Sequence, residues 1–265
     1  MPALIFDCDG VLADTEMSGH LPAFNQAFHE FGVPVVWTVA EYGERVRIGG
    51  GKERMRAEFT PALAARWPGF PRSDGELDDL IAALHRRKTE IYTREIDAGR
   101  IDPRPGVARL AEQAAAAGWR LAVASTSAEP SVRAVLRRAV GADLAARFAV
   151  FAGDVVAHKK PAPDIYLHAL TELGVPAEDA VVVEDSAIGL RAARAAGIAT
   201  IVTVSAYTAE EDFDGAALVL SSLGDAEEPA RVLAGTGAAR PGREVVLDDV
   251  DAVRRARTAQ EGERS

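Results

Sequence analysis

The chain has 265 residues, 48% of them apolar, enough to bury one large domain or a core with a smaller companion. Thirty basic against forty acidic residues leave a net charge of -10, which argues against a general nucleic-acid binder needing a basic face. The single cysteine, Cys8, excludes an intramolecular disulfide framework and a multi-cysteine metal knuckle. No apolar run approaches the roughly 20 residues of a membrane span, and the opening MPALIFDCDG meets aspartate too soon for a signal peptide, so a soluble cytoplasmic protein without a membrane partner is expected.

Ala3 to Asp7 is a short apolar run ending in acid, the pattern of a buried strand. From about Glu16 to Ile96 the chain is amphipathic and helix-leaning, with breaks at Gly49-Gly50-Gly51 and around Trp67 to Asp74. The turn-rich stretch Asp102-Pro103-Arg104-Pro105-Gly106 closes that block. The spacing then predicts a helix (Val107 to Ala117), a strand (Arg120 to Ala124) and a helix (Ser131 to Ala139). Next come a strand (Ala149 to Ala152), a helix (Pro163 to Leu173) and a strand (Ala180 to Val183). A helix (Ile188 to Ala196) and a strand (Ala199 to Val204) follow. Repeated strand–helix units imply an α/β fold with a doubly wound, Rossmann-like parallel sheet. The helical block enters directly after the first strand, so it reads as an inserted all-helical cap domain: core 1–14 and 100–265, cap 15–99. From Asp225 the chain is polar apart from Val245 to Leu247, and a loosely docked or partly disordered tail is expected.

Ligands of such sheets bind where the carboxyl ends of the strands meet the loops. Strand one ends in Asp7-Cys8-Asp9-Gly10, strand two in Ser125-Thr126-Ser127 and strand four in Glu184-Asp185-Ser186, while the loop after strand three carries Asp154 and Lys159-Lys160-Pro161. Any one of these is ordinary, since paired hydroxyls usually cap a helix and acid pairs are usually solvated. Together they put acid, hydroxyl and lysine on one rim. Carboxylates from separate strands suit magnesium, a hard cation. A lysine and a serine can neutralise a phosphoryl group, one aspartate can attack phosphorus and a second can carry protons. Strand alternation would put Asp7 and Asp9 on one face and turn Cys8 away as a packing residue. Only four of the thirty basic residues are lysines (Lys52, Lys88, Lys159 and Lys160), so each is a candidate for a site where the arginine fork would not fit.

FDCDGVLADT, the Ser125 strand end, Lys160 in KKPAPD and Glu184-Asp185 resemble the four ordered motifs of the haloacid dehalogenase superfamily of phosphohydrolases. DTEMSGHLPAFN, YGERVRIGGGKERM and AGDVVAHKKPAPDIY are more similar still to its CbbY-like sugar-phosphate phosphatases, which include enzymes acting on xylulose 1,5-bisphosphate. The resemblance implies Asp7 as nucleophile and Asp9 as general acid and base. It implies Ser125 and Lys160 on the transferring phosphoryl group, with Thr126 beside them. Magnesium would be held by Asp7, the Asp9 main-chain carbonyl and Asp185, with Glu184 nearby. Many superfamily members carry threonine where Val11 stands here, a departure shared by the mutase and CbbY-like branches.

The cap must then supply specificity. Its candidates are Glu16 and His20, four apart on one helical face, with Lys52, Arg54 and Lys88. Lys52 and Lys88, helped by Arg54, are expected to clamp a second phosphate. A Walker loop is excluded because Glu53 stands where serine or threonine is required, and a dinucleotide fold because no GxGxxG follows strand one. The expected activity is a magnesium-dependent phosphatase for a small sugar phosphate or bisphosphate, best xylulose 1,5-bisphosphate, working as a monomer or homodimer through an aspartyl phosphate. The alternative is a β-phosphoglucomutase-like mutase on the same scaffold.

Overall fold

β1 (Ala3–Phe6) consists of four fully buried residues that alternate between two cores: Leu4 and Phe6 enter one, Ala3 and Ile5 the other. The computed structural model describes residues 1–262. The other strands are β2 (Arg120–Ser125), β3 (Phe148–Ala152), β4 (Ala180–Glu184), β5 (Ala199–Thr203), β6 (Leu218–Leu220) and β7 (Val232–Gly235). They form one sheet in the order β3-β2-β1-β4-β5-β6-β7, parallel throughout except for β7, which runs antiparallel to β6. β1 is central, paired with β2 on one side and β4 on the other. The order reverses direction at β1, so the crevice for a ligand opens at its carboxyl end.

Between β1 and β2 the chain forms a π-helical turn (Glu16–His20) and α1 (Leu21–Glu30), α2 (Val39–Arg45), α3 (Gly51–Arg56), α4 (Pro61–Arg66), α5 (Asp74–Asp97) and α6 (Val107–Ala116). The sequence explains several starts. Thr38 and Glu41 form a capping box on α2, while Thr60 followed by Pro61 opens α4 and Ser73 caps α5. The block from Glu16 to Asp97 contains no strand, and its buried residues Phe24, Phe28, Tyr42 and Leu84 join the same apolar cluster as Phe6 and Val123 of the sheet.

α7 (Glu129–Val140), α8 (Ala142–Ala145), α9 (Asp164–Leu173), α10 (Ala187–Ala195) and α11 (Leu247–Gly262) complete the described chain. α6, α7 and α11 bury residues on the face of Leu4 and Phe6, while α9 and α10 cover that of Ile5. The expected strands and core helices are present within one or two residues of the positions read from the sequence. Two strands, β6 and β7, and two helices, α8 and α11, were not anticipated. The stretch from Asp225 contains β7 and α11 and is docked through Val245, Val250 and Val253, all buried. No helix among the described residues is long and apolar enough to cross a membrane.

Arg104, at the return from the helical block, fastens the sheet's rim. Its guanidinium donates to the carbonyls of Gly10 after β1, Thr203 at the end of β5, Val204 just beyond it, and Ser221 after β6. An arginine fork can serve four carbonyls that no neutral side chain of similar length could. Arg104→Met is expected to lower unfolding free energy by about 2 to 4 kcal/mol. Urea titration checks it, and a midpoint equal to wild type would show that these bonds are replaced by water at no cost.

Candidate active site

Asp7 follows β1 and continues its pairing, its N–H donating to the Val183 carbonyl at 2.9 Å. Lys160, only 7% exposed, reaches Asp7 Oδ1 and Glu184 Oε1, each at 2.7 Å, and the Ala124 carbonyl at 3.0 Å. Its three protons are thereby all used. Burial opposes the Lys160 charge, but Asp7 and Glu184 outweigh it and hold the ammonium well above its ordinary pKa. Glu184 also accepts from Tyr166 Oη at 2.6 Å and from the Asp185 N–H at 3.0 Å. Burial would raise its pKa, yet Lys160 and these hydrogen bonds keep it below the usual value.

Asp7 and Asp185 are less well compensated. Burial pushes Asp7 up to about 7 against the pull of Lys160, with Glu184 and Asp9 adding repulsion. Burial, then Glu184 and Asp7, push Asp185 well above the carboxylate range. Carboxylate oxygens of Asp7, Glu184 and Asp185 lie within 4.8 Å of one another, the group of buried acids among the described residues that could hold a metal. Three carboxylates face one ammonium. A divalent cation would supply the two missing charges, and oxygen donors suit magnesium. Glycine is required on either side of this cluster: at Gly10 (φ +78°) a Cβ would collide with the Asp185 carboxylate, and at Gly189 with that of Glu184.

The Asp9 carboxylate lies outside that group and faces the helical block. It accepts from Thr15 Oγ1 at 2.6 Å, His20 Nε2 at 2.7 Å, Tyr92 Oη at 3.3 Å and Ser127 Oγ. Burial raises Asp9, but the hydrogen bonds it accepts from His20, Ser127 and Thr15 win and hold it far below the usual range. Lys88 is 5% exposed, lies against the rings of Phe24 and Tyr92, and bonds to His20 Nδ1. With Lys88 donating to Nδ1, the ring's proton sits on Nε2 and points at Asp9. Burial draws the Lys88 ammonium down to about 8 against the opposing pull of Asp9 and Glu16.

These groups line one cleft of about 880 Å³, together with Ser125, Thr126, Glu16 and Arg54. Ser125 is buried, and its Oγ accepts the Ser127 N–H at 3.1 Å. Glu16 and His20 sit on the π-helical turn, and both face the cleft. Arg54 Nη1 lies 3.3 Å from Glu16 and 2.9 Å from Tyr42 Oη, which itself donates to Glu16. Lys52 differs from expectation. It is outside the cleft lining, 2.6 Å from Asp154, whose other oxygen takes Lys159 at 2.7 Å. Asp154, in the segment after β3, holds Lys52 outside the cleft. Lys52 is therefore not brought into the cleft beside Lys88, whereas Arg54 is. The sequence did not single out Thr15, Tyr92, Tyr166, Ser127 or Tyr207. Ser127 had a signal, as the third hydroxyl of a strand-end triplet; Tyr92 had none, being 83 residues from the Asp9 it touches.

The profile of the haloacid dehalogenase-like hydrolases matches residues 1–197. A CBBY-like protein of Arabidopsis thaliana is 49% identical over 227 residues, 85% of this chain and 70% of that relative. The crystal structure of CbbY from Rhodobacter sphaeroides in complex with phosphate aligns with a TM-score of 0.73 and 43% identity, over 84% of this chain and 95% of that one. An asparagine mutant of the same protein in complex with xylulose-(1,5)bisphosphate aligns equally well at 42% identity, with the same coverage.

Two outcomes follow from the geometry. Lys160→Met strands two buried carboxylates and is expected to cost about 3 to 5 kcal/mol of stability, whereas Lys159→Met, whose partner Asp154 is exposed, costs less than about 1 kcal/mol. Equal denaturation midpoints for the two variants would contradict this placement. His85, half-buried at the cleft wall, is held down to about 3, by burial and then by Lys88 and Lys52. It is neutral when folded, but the unfolded chain protonates it below its ordinary value of 6.5. Its contribution is thus complete above pH 6.5 and declines as the pH falls toward 3. His85→Gln should make the loss of stability between pH 6.5 and 4 shallower; an unchanged slope in urea midpoints would refute this.

Proposed function

Because this chain belongs to the haloacid dehalogenase-like hydrolases, we propose that it is a magnesium-dependent phosphatase of a small phosphorylated sugar, with xylulose 1,5-bisphosphate as its best-supported substrate. The observation that carries the reading is the cleft itself. Its lining brings Asp7, Lys160 and the acidic cluster of the core together with Arg54 and Glu16 of the inserted block. A relative 42% identical binds that bisphosphate. Residues 1–14 and 100–262 form the catalytic core, the last three residues lying outside the described chain, and 15–99 act as a cap over it.

Magnesium would be held by Asp7, Asp185 and the main-chain carbonyl of Asp9, with Glu184 supporting them through Lys160 and the Asp185 N–H. It would neutralise charge on the phosphoryl group. An Asp7 oxygen attacks phosphorus, the new O–P bond forms and the bond to the sugar oxygen breaks, with Asp9 delivering a proton to that oxygen. Water then attacks the phosphorus of the aspartyl phosphate while Asp9 takes its proton, and inorganic phosphate leaves with Asp7 restored. Lys160 and Ser125 stabilise the phosphoryl oxygens in both halves. The donors around Asp9 favour its carboxylate form, so the arrangement seen here suits the second half-reaction, in which Asp9 is the base.

The test is a panel of sugar mono- and bisphosphates ranked by kcat/KM, with products identified by phosphorus NMR. Magnesium-dependent release of inorganic phosphate is expected, with xylulose 1,5-bisphosphate ranking first and Asp7→Asn folded but inactive. A phosphate moved to another hydroxyl of the same sugar would make the enzyme a mutase. A simple monophosphate at the top of the ranking would remove the bisphosphate assignment.

A further inference from the structure

The cleft wall contains a phenol that nothing in the structure satisfies. Tyr207 lies between β5 and β6, and its Oη is buried without a hydrogen-bond partner. Buried tyrosine hydroxyls usually find one, because leaving the group unpaired costs about 1 to 3 kcal/mol. Among the described residues, Tyr207 is the one with such an orphaned side-chain atom that also lines this cleft.

Its position is built from both sides. On the core side, the Ser205 N–H donates to Thr208 Oγ1 at 2.9 Å, the Thr208 N–H returns to the Ser205 carbonyl at 3.2 Å, and the two hydroxyls meet at 3.0 Å. That closed turn carries Tyr207. On the other side, the ring packs edge-on against Tyr42 at 6.0 Å and 77°, and a Cβ at Gly43 would lie 3.5 Å from it. Tyr42 and Gly43 belong to α2 of the inserted block. The ring is thus braced between core and insert while the hydroxyl is unused.

We propose that Tyr207 is a specificity residue, whose phenolic O–H donates to a hydroxyl oxygen of the phosphorylated sugar bound in the cleft. This rests on the sugar-phosphatase reading and extends it. A sugar hydroxyl fits better than a second phosphate because Tyr42, packed on the Tyr207 ring, donates to the Glu16 carboxylate, and Glu16 and Asp14 are the charged groups that act on the phenol. A phosphate there would be repelled, whereas a neutral hydroxyl can accept from Tyr207 and donate onward to a carboxylate. Burial, then these two carboxylates, raise the phenol's pKa above its ordinary value, so it keeps its proton.

Tyr207→Phe removes the hydroxyl and keeps the ring against Tyr42. The variant is compared on xylulose 1,5-bisphosphate, xylulose 5-phosphate and phenyl phosphate, the last having no sugar hydroxyls. We expect kcat/KM for both sugars to fall about ten- to thirtyfold, mainly through KM, and for phenyl phosphate by less than about threefold. An equal fall on all three, or no fall on the sugars, overturns the proposal. A fall confined to the bisphosphate marks a phosphate contact and overturns it too. Calorimetric binding of the two sugars to Asp7→Asn, with and without Tyr207→Phe, makes the same comparison without turnover. A wild type that releases no phosphate therefore refutes the phosphatase reading, while binding still decides on Tyr207. Sugar affinity unchanged by the substitution, or no sugar binding at all, refutes the tyrosine's role.

Discussion

Lys160 lies 2.7 Å from Asp7 and from Glu184, and the Ala124 carbonyl takes its third proton. In an interior where an uncompensated carboxylate costs several kcal/mol, this ammonium is what allows the two acids to stand side by side. The sheet order makes the contact possible. β1 lies between β2 and β4, so Asp7, Ala124 and Glu184 emerge from three adjacent strands at the same edge. The lysine itself enters from the segment after β3. Glycines at 10 and 189 leave room for the carboxylates, and Arg104 ties Gly10 to the ends of β5 and β6. Much of the rim's conformation can thus be traced to holding three acids and one lysine in a small buried volume.

Asp9 depends on a different constraint. Its carboxylate is shared between the core, through Ser127, and the inserted block, through Thr15, His20 and Tyr92. Behind it, Lys88 fixes the histidine's tautomer, and Phe24 and Tyr92 fix Lys88. The protonation preference of Asp9 is therefore set largely by residues that come with the helices rather than with the sheet. Were the block to move away, Asp9 would lose three of these donors and keep Ser127. Its carboxylate would be less strongly favoured, closer to the state an acid needs. The position of the insert and the proton of Asp9 are physically coupled in this fold.

The core was legible because its chemistry stands at strand ends. Asp7, Asp9, Lys160 and the Glu184-Asp185 pair each follow a recognisable apolar run, and alternation alone separates Cys8, which is buried with Phe6, from the acids. What escaped has physical reasons. β6 has three residues, too few for a periodic signal, and β7 is fully exposed, so it is a strand only because β6 offers an edge. In α11, among the residues whose burial is described, Val250 and Val253 are the buried ones on a charged background. Lys52 and Lys88 were legible as unusual residues, yet sequence spacing says nothing about Asp154, 102 residues from Lys52, or about the aromatic rings around Lys88. Long-range partners decide what a cation does, and they appear only once the chain is folded.

On the sugar-phosphatase proposal, the part of the cleft lined by Arg54 is where a net-acidic protein would discriminate among phosphates. Arg54 enters it already occupied: Nε donates to the Ile48 carbonyl, and Nη1 to Glu16 and Tyr42. Burial works against its charge, but Glu16 and Tyr42 more than offset that and hold it firmly protonated. A phosphate arriving here would have to compete with Glu16 for the guanidinium. Its gain is the difference between two charge-assisted bonds rather than the whole of one. An adventitious anion that bonds Arg54 alone gains little by this exchange. A ligand already anchored at Lys160 can collect that small difference intramolecularly, because its far end is held near Arg54 at high effective concentration. On that proposal selectivity would depend on the distance between the two ends of one molecule, which the sheet and the inserted helices would fix jointly.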